Sequence, residues 1–312
     1  MNDPKIDFID LFCGIGGFRI GLQGIGNCVM SSEIDTFAMK TYETNFGDPP
    51  RGNICDIEIE SMPEFDMLTG GFPCQSFSSI GKREGFDSET KGQLFFEIIR
   101  IARAKQPKVL LLENVKGLLT HDKGATMARI LQELDGIGYD VFYKILNSAD
   151  FGCPQNRNRI FFVCFRKDLE IDFEWPTPHA AKVGIGQFIE DNPPNYSISK
   201  HLQDNYLYKK DDGRPRIVDS DTTTPVNTLV TSYHKIQRLT GTFVKDGPTG
   251  LRLFSKAECI AIQGFPADFV FPVSRTQMYR QLGNAVSPPV IAAIGVKIKQ
   301  ALTSRKRSYD SI

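Results

Sequence analysis

Between Ile6 and Phe165, apolar runs of strand length alternate with longer amphipathic segments, and this alternation constrains the fold more than any other feature. The strand candidates are Ile6–Phe12, Cys28–Ser32, Met67–Thr69, Val109–Glu113, Val141–Leu146 and Ile160–Phe165. Helical spacing recurs between them, as in Gln93–Ala104, where Leu94, Ile98, Ile101 and Ala102 share one face, and in Thr126–Leu134. A chain built this way buries each strand between helices. The expectation is therefore an α/β fold, a mainly parallel sheet with helices on both faces.

The pattern stops at Trp175. Pro176, Pro178, Pro193, Pro194, Pro215 and Pro225 punctuate a polar stretch without sustained periodicity, so residues 176–251 read as a separate, smaller, loop-rich unit. Periodicity returns at Ser255–Ile262, a short helix with Ser255 as its N-cap, and at Pro289–Leu302, a final helix after a Pro-Pro start.

Bulk properties exclude several classes. The apolar runs fall far short of the roughly 18 residues needed to cross a membrane, and Met1–Lys5 lacks the basic-then-apolar layout of a secretory leader. Seven cysteines without a Cys-x-x-Cys pair suggest neither a disulfide framework nor a zinc ribbon, and reduced thiols fit a cytoplasmic protein. The 37 basic and 37 acidic residues cancel overall but not locally. Residues 1–175 carry 19 basic and 26 acidic side chains, whereas residues 252–312 carry 9 and 3. A polarised surface of this kind suits a polyanionic partner.

Five motifs carry chemistry. In Asp10-Leu-Phe-Cys-Gly14-Ile-Gly16-Gly17-Phe18, glycines follow an apolar strand directly, where a sharp turn lets the backbone approach a ligand. Glu33 ends the second strand, where a carboxylate can accept from ribose hydroxyls. Gly70-Gly71-Phe72-Pro73-Cys74-Gln75-Ser76-Phe77-Ser78 places a cysteine on a rigid turn at the carboxyl end of a strand, the ligand side of an open α/β sheet, and marks it as a nucleophile. In Leu112-Glu113-Asn114-Val115 a polar pair interrupts a strand end, where desolvation can keep a carboxyl protonated and able to donate. Gln155-Asn156-Arg157-Asn158-Arg159 sets two arginines at alternate positions, facing one side if the segment is extended. The fifth, Gln281-Leu-Gly-Asn284-Ala-Val286-Ser-Pro-Pro289, reads as a turn opening the last helix.

In this order the motifs resemble the series found in DNA (cytosine-5)-methyltransferases, particularly the compact bacterial enzymes of restriction–modification systems. The resemblance implies an S-adenosylmethionine-dependent, Rossmann-like methyltransferase fold in which residues 252–312 complete the catalytic domain of residues 1–175 and residues 176–251 form a target-recognition domain. It implies catalytic roles for Cys74, Glu113, Arg157 and Arg159, and cofactor contacts from Phe12, Gly14, Gly16, Gly17, Glu33, Ile34, Asn53, Ile54, Pro73, Leu94, Asn284 and Val286. It further implies DNA contacts from Ser78, Lys82, Arg83, Thr228, Leu229 and Arg252. At Gly52-Asn53-Ile54 the chain departs from the family's usual Asp-Ile pair, putting an amide in place of a carboxylate acceptor. The implied partner is double-stranded DNA, bound by a monomer that needs no metal and no membrane and is paired with a cognate restriction endonuclease.

Two other readings stay open at this point. A transfer-RNA enzyme built on the same motifs would carry Cys-Phe-Thr where this chain has Cys164-Phe165-Arg166, and multi-site RNA enzymes draw their nucleophile from a Thr-Cys motif where this chain has Glu113-Asn114. A catalytically silent DNA-binding relative is the third reading, against which stands the intact Pro73-Cys74.

Overall fold

The computed structural model describes residues 5–72, 93–179 and 181–309. Six strands form the central sheet: β1 (Ile6–Leu11), β2 (Gly26–Ser32), β3 (Met67–Gly71), β4 (Val109–Val115), β5 (Tyr139–Asn147) and, after the two-residue β6 (Gln155–Asn156), β7 (Asn158–Arg166). Their order across the sheet is β2-β1-β3-β4-β7-β5. The first four run parallel, and β7 alone is reversed, antiparallel to both β4 and β5. All six expected strands are present, with β5 longer at both ends than the apolar run that revealed it.

Helices cover both faces. On one side Ile9, Leu68, Leu110, Leu112, Ile160 and Phe162 pack under α3 (Gln93–Lys105) and α4 (Ala125–Gly136). On the other Phe8, Met67, Leu111, Phe161 and Val163 pack under α1 (Gly17–Leu22) and α8 (Pro288–Tyr309). Burial on both faces explains why β4 and β7 read as unbroken apolar runs instead of alternating ones. α2 (Thr36–Phe46) follows β2, and Asp35 caps it by accepting from the N–H groups of Phe37 and Ala38.

A third core lies beyond the sheet. Residues 185–251 contribute only short elements, α5 (Lys200–Leu202), β8 (Arg216–Val218), β9 (Val226–Asn227) and β10 (Thr242–Val244). Their apolar side chains, among them Ile185, Leu207, Leu229 and Phe243, share one cluster with α6 (Lys256–Gln263) and α7 (Arg275–Asn284). Ser255 caps α6 in a reciprocal box with Glu258, as expected of that N-cap. α7 corrects the sequence reading: Gln281–Asn284 ends this helix, capped by Ser274, and the turn opening α8 is Ala285–Ser287. Only Met278, Tyr279, Gln281, Leu282 and Gly283 of α7 are buried, which left too little periodicity to read. Among the described residues, no helix is long and apolar enough to cross a membrane.

Candidate active site

The carboxyl ends of β1–β4 open onto a cleft of about 430 Å³, the size of an ordinary small-molecule site. Its floor begins where β1 turns. Phe12 takes a left-handed backbone (φ 55°), a strained conformation for a bulky residue, and lines the cleft with Gly14 and Gly17. A Cβ on Gly17 would lie 2.7 Å from Val286 Cγ1, so the glycine lets α1 seat directly on the turn before α8. Gly16 lies outside the lining; at φ 87° with its Cα side against the Phe46 ring, it shapes the turn.

Glu33 is held by three backbone amides. Its Oε2 accepts from Gly14 N–H at 2.8 Å, and its Oε1 accepts from Ile34 and Asp35 N–H at 2.8 and 2.9 Å. The carboxylate keeps lone pairs for hydroxyl donors. Beside it Ile34 is 67% exposed, an uncovered apolar side chain on the lining. With Phe12, it offers a surface that a planar base could cover.

Glu113 and Arg159 form the far end. Glu113, on β4, faces Phe161 of β7 in register, and Arg159 enters two positions earlier on β7. Arg159 Nε lies 3.0 Å from Glu113 Oε1. Burial pushes the Glu113 carboxyl above its ordinary pKa, against the pull of Arg159 and Arg157. A Cβ on Gly71 would meet Glu113 Oε2 at 3.4 Å, so the β3 end runs directly beside the carboxyl. Asn114 Nδ2 donates to Phe72 O at 2.8 Å and fixes the residue that leads into Pro73.

The cleft gathers most of the expected residues: Leu94, Glu113, Arg157, Arg159, Asn284 and Val286 line it together with the β1 turn and Glu33. Pro73, Cys74, Ser78, Lys82 and Arg83 lie outside the described residues. Asn53 and Ile54 are not on the lining, because Asn53 Oδ1 accepts from Cys55 N–H to cap a short 3-10 turn and Ile54 is buried in the core. Sequence reasoning missed Asn114 as an anchor and missed Arg280 and Gln281, which line the cleft from α7.

Three assignments need correction. Arg252 cannot touch DNA: it is fully buried, bidentate to Glu258 at 2.8 and 2.9 Å and paired with Asp246 at 2.8 Å. Leu229 is buried in the third core, and the Thr228 hydroxyl donates inward to Asn156 O at 2.7 Å. Arg157, 3% exposed, spends its guanidinium on backbone carbonyls, Gly283 O at 3.0 Å and Leu229 O at 3.5 Å. Burial lowers its pKa to about 9 with help from Arg159, which still leaves it cationic at neutral pH. It builds the wall; Arg159 faces the carboxyl.

Comparison with known proteins decides the family. The description "C-5 cytosine-specific DNA methylase" matches residues 6–300. The chain belongs to this family. The methylase is 55% identical over 301 residues to the Type II methyltransferase M.BsuFI of Bacillus subtilis, spanning 96% of this chain and 73% of that one. It is 54% identical over 296 residues to M.MspI of a Moraxella species, spanning 95% and 71%. Its fold is similar to the crystal structure of a Spodoptera frugiperda DNMT2 mutant, with a TM-score of 0.78 at 21% identity over 96% of this chain and all of that one. The methylase thus has the S-adenosylmethionine-dependent methyltransferase fold and is a DNA cytosine-5-methyltransferase using that cofactor.

The cleft residues fit such a cofactor. Glu33 presents a carboxyl acceptor fixed by three amides, Phe12 and Ile34 present apolar surface beside it, and the same lining includes Glu113.

Proposed function

We propose that this methylase methylates carbon 5 of a cytosine swung out of duplex DNA, through a covalent adduct on Cys74, and so protects host DNA in a restriction–modification system. The observation that carries the reading is the Glu113–Arg159 pair at the end of the cleft that holds Glu33. Phe12, Gly14, Gly17, Glu33, Ile34, Leu94, Asn284 and Val286 would hold S-adenosylmethionine. Bound there, it supplies the electrophilic methyl group.

The chain's own residues do the rest. Base extrusion costs a few kcal/mol of stacking and pairing and exposes the ring edge. The Cys74 thiolate adds to carbon 6, while Glu113 donates a proton to ring nitrogen 3, so that carbon 5 becomes nucleophilic. Arg159 holds the carbonyl oxygen at position 2 and, with its Nε 3.0 Å from Glu113 Oε1, keeps the Glu113 carboxyl turned toward the ring. After methylation a base takes the carbon 5 proton, the Cys74 sulfur leaves as thiolate and ring nitrogen 3 returns its proton to Glu113, restoring the aromatic ring and the acid.

Residues 1–175 and 252–312 perform the transfer in this reading, and residues 176–251 choose the DNA sequence. Ser78, Lys82 and Arg83, in the polar stretch after Cys74, contact phosphates, which position a protein without reading sequence. The enzyme acts as a monomer in the bacterial cytoplasm and is paired with a cognate endonuclease. Names of relatives support that context: both M.BsuFI and M.MspI are Type II methyltransferases.

The test is transfer of labelled methyl from S-adenosylmethionine to duplex DNA and to transfer RNA, with nucleosides analysed by mass spectrometry. Label in 5-methyldeoxycytidine is expected, together with resistance of the DNA to a subset of methylation-sensitive nucleases. Label confined to transfer RNA, or in no nucleoside, would overturn the reading.

A further inference from the structure

Two glutamines lie end to end between the third core and the cofactor cleft. Gln155 and Gln263 are both fully buried. Leu229 N–H donates to Gln155 Oε1 at 3.0 Å; Gln155 Nε2 donates to Gln263 Oε1 at 2.5 Å and to Ile262 O at 2.9 Å; Gln263 Nε2 donates to Ala285 O at 2.5 Å. Every donor in this series points the same way, from Leu229 to Ala285. Ala285 sits between Asn284 and Val286, on the cleft lining. Leu229 follows β9, whose Val226 and Asn227 pair in register with Gln155 and Asn156.

We propose that Gln155 and Gln263 couple the DNA-reading segment to the cofactor cleft, so that occupancy of one site tightens the other. The proposal rests on the cofactor and recognition assignments above. Apolar side chains of this size would fill the same space without needing four matched bonds. Buried amides instead specify geometry, because leaving any member unpaired exposes a desolvated polar atom, and a satisfied chain of them resists displacement of either end. A ligand that fixes the Asn284–Val286 turn fixes Ala285 O, and through two amide planes it fixes the Leu229 backbone. Arg157 braces the same two segments from Leu229 O to Gly283 O. Gly283 brings their backbones into contact, since a Cβ there would lie 2.4 Å from Thr231 N. By linkage the coupling is reciprocal, and such couplings span about 5–150-fold in affinity.

Two measurements test it. In the wild-type chain, S-adenosylhomocysteine alone, without DNA, should slow amide exchange at Leu229 by about fivefold or more; unchanged exchange across 226–231 overturns the proposal. Calorimetry of S-adenosylhomocysteine with and without the duplex identified by nuclease mapping then gives a ratio of affinities for the wild type, Gln155→Met, Gln263→Met and the double variant. The ratio should collapse toward one in each single variant and fall no further in the double variant, as for links in series. A merely structural loss would weaken both affinities together and leave their ratio unchanged, which also overturns the proposal. Wild-type protein that binds no S-adenosylhomocysteine at all would fail the cofactor reading instead, and the coupling with it.

Discussion

The central sheet and the 185–282 region each bury an apolar core, but they satisfy their backbones in different ways. In the sheet, β7 is buried on both faces from Ile160 to Phe165, and its N–H and C=O groups are paired by ladder bonds to β4 and β5. In the other region, side-chain heads meet the backbone. Arg238 donates to Leu207 O at 3.0 Å and Lys210 O at 2.8 Å while pairing with Asp212; Gln203 donates to Ile198 O at 2.7 Å; Tyr233 donates to Thr242 O and accepts from Phe254 N–H. Arg252 joins Asp246, Glu258 and Glu190 O in one knot. Buried backbone groups must be paired in either case. The sheet spreads the task over many equivalent residues, whereas the loop-rich region concentrates it in a few polar side chains and frees the segments between them to vary.

That contrast can be broken or sharpened by substitution. The largest effect is expected at Cys74, where Cys74→Ser should abolish the covalent species trapped on duplex containing 5-fluorocytosine, seen as a shifted band under denaturing conditions. A band that persists would remove Cys74 from the mechanism. Next, Arg252→Met strands two carboxylates and should lower stability by about 3–5 kcal/mol, measured by urea unfolding. Equal stability would mean that the knot is dispensable and the contrast wrong.

Asp10 tests the sheet's own polar exception. It is fully buried on β1, accepts from Thr69 Oγ1 at 2.9 Å, and its Oδ2 has no hydrogen-bond partner among the described residues. Burial raises its pKa from 3.8 to about 7, against the pull of Thr69 and Arg19. The folded state therefore keeps a proton that the unfolded chain releases between these values. Stability should fall as pH rises through that window, by about 1.4 kcal/mol per unit, and level off above it. Asp10→Asn should flatten this part of the profile; an identical pH dependence of the thermal midpoint would count against the buried titration.

Glu113→Gln retains the shape of the carboxyl but cannot deliver a proton, so turnover should drop by about 100-fold or more with cofactor binding nearly unchanged. In the wild type, turnover should decline as pH rises and the acid loses its proton, and the raised pKa moves that decline toward neutrality. A variant with normal turnover would contradict the acid role. The smallest effect belongs to the sheet interior: Ile160→Val should cost only about 0.5–1.5 kcal/mol. A loss as large as that of Arg252→Met would erase the difference between the two regions.

Legibility followed the same division. Strand spacing announced β4 and β7 because strands buried on both faces read as unbroken apolar runs, and Glu33, Glu113 and Arg159 were visible as charges at strand ends. The reversal of β7 left no mark, since a strand buried on both faces has the same composition in either direction. Arg252 was misread because its carboxylate partners, at 246 and 258, follow no period. Gln155 and Gln263 stood inside recognised motifs, yet their contact, across 108 residues of sequence, is a property of the fold alone.

The seating of α1 on α8 also bears on how the protein is made. Phe8, Leu111 and Phe161 on that face of the sheet are covered in part by Val290, Ile291 and Ile294 of α8. About 120 residues separate the end of β7 from the start of α8, and at 5–20 residues per second the ribosome needs about 6–24 s to supply them. Throughout that interval the nascent sheet lacks the cover that α8 gives one of its apolar faces. Asn284, Ala285 and Val286 emerge in the same stretch, so the lining of the cleft is not complete until they have been made.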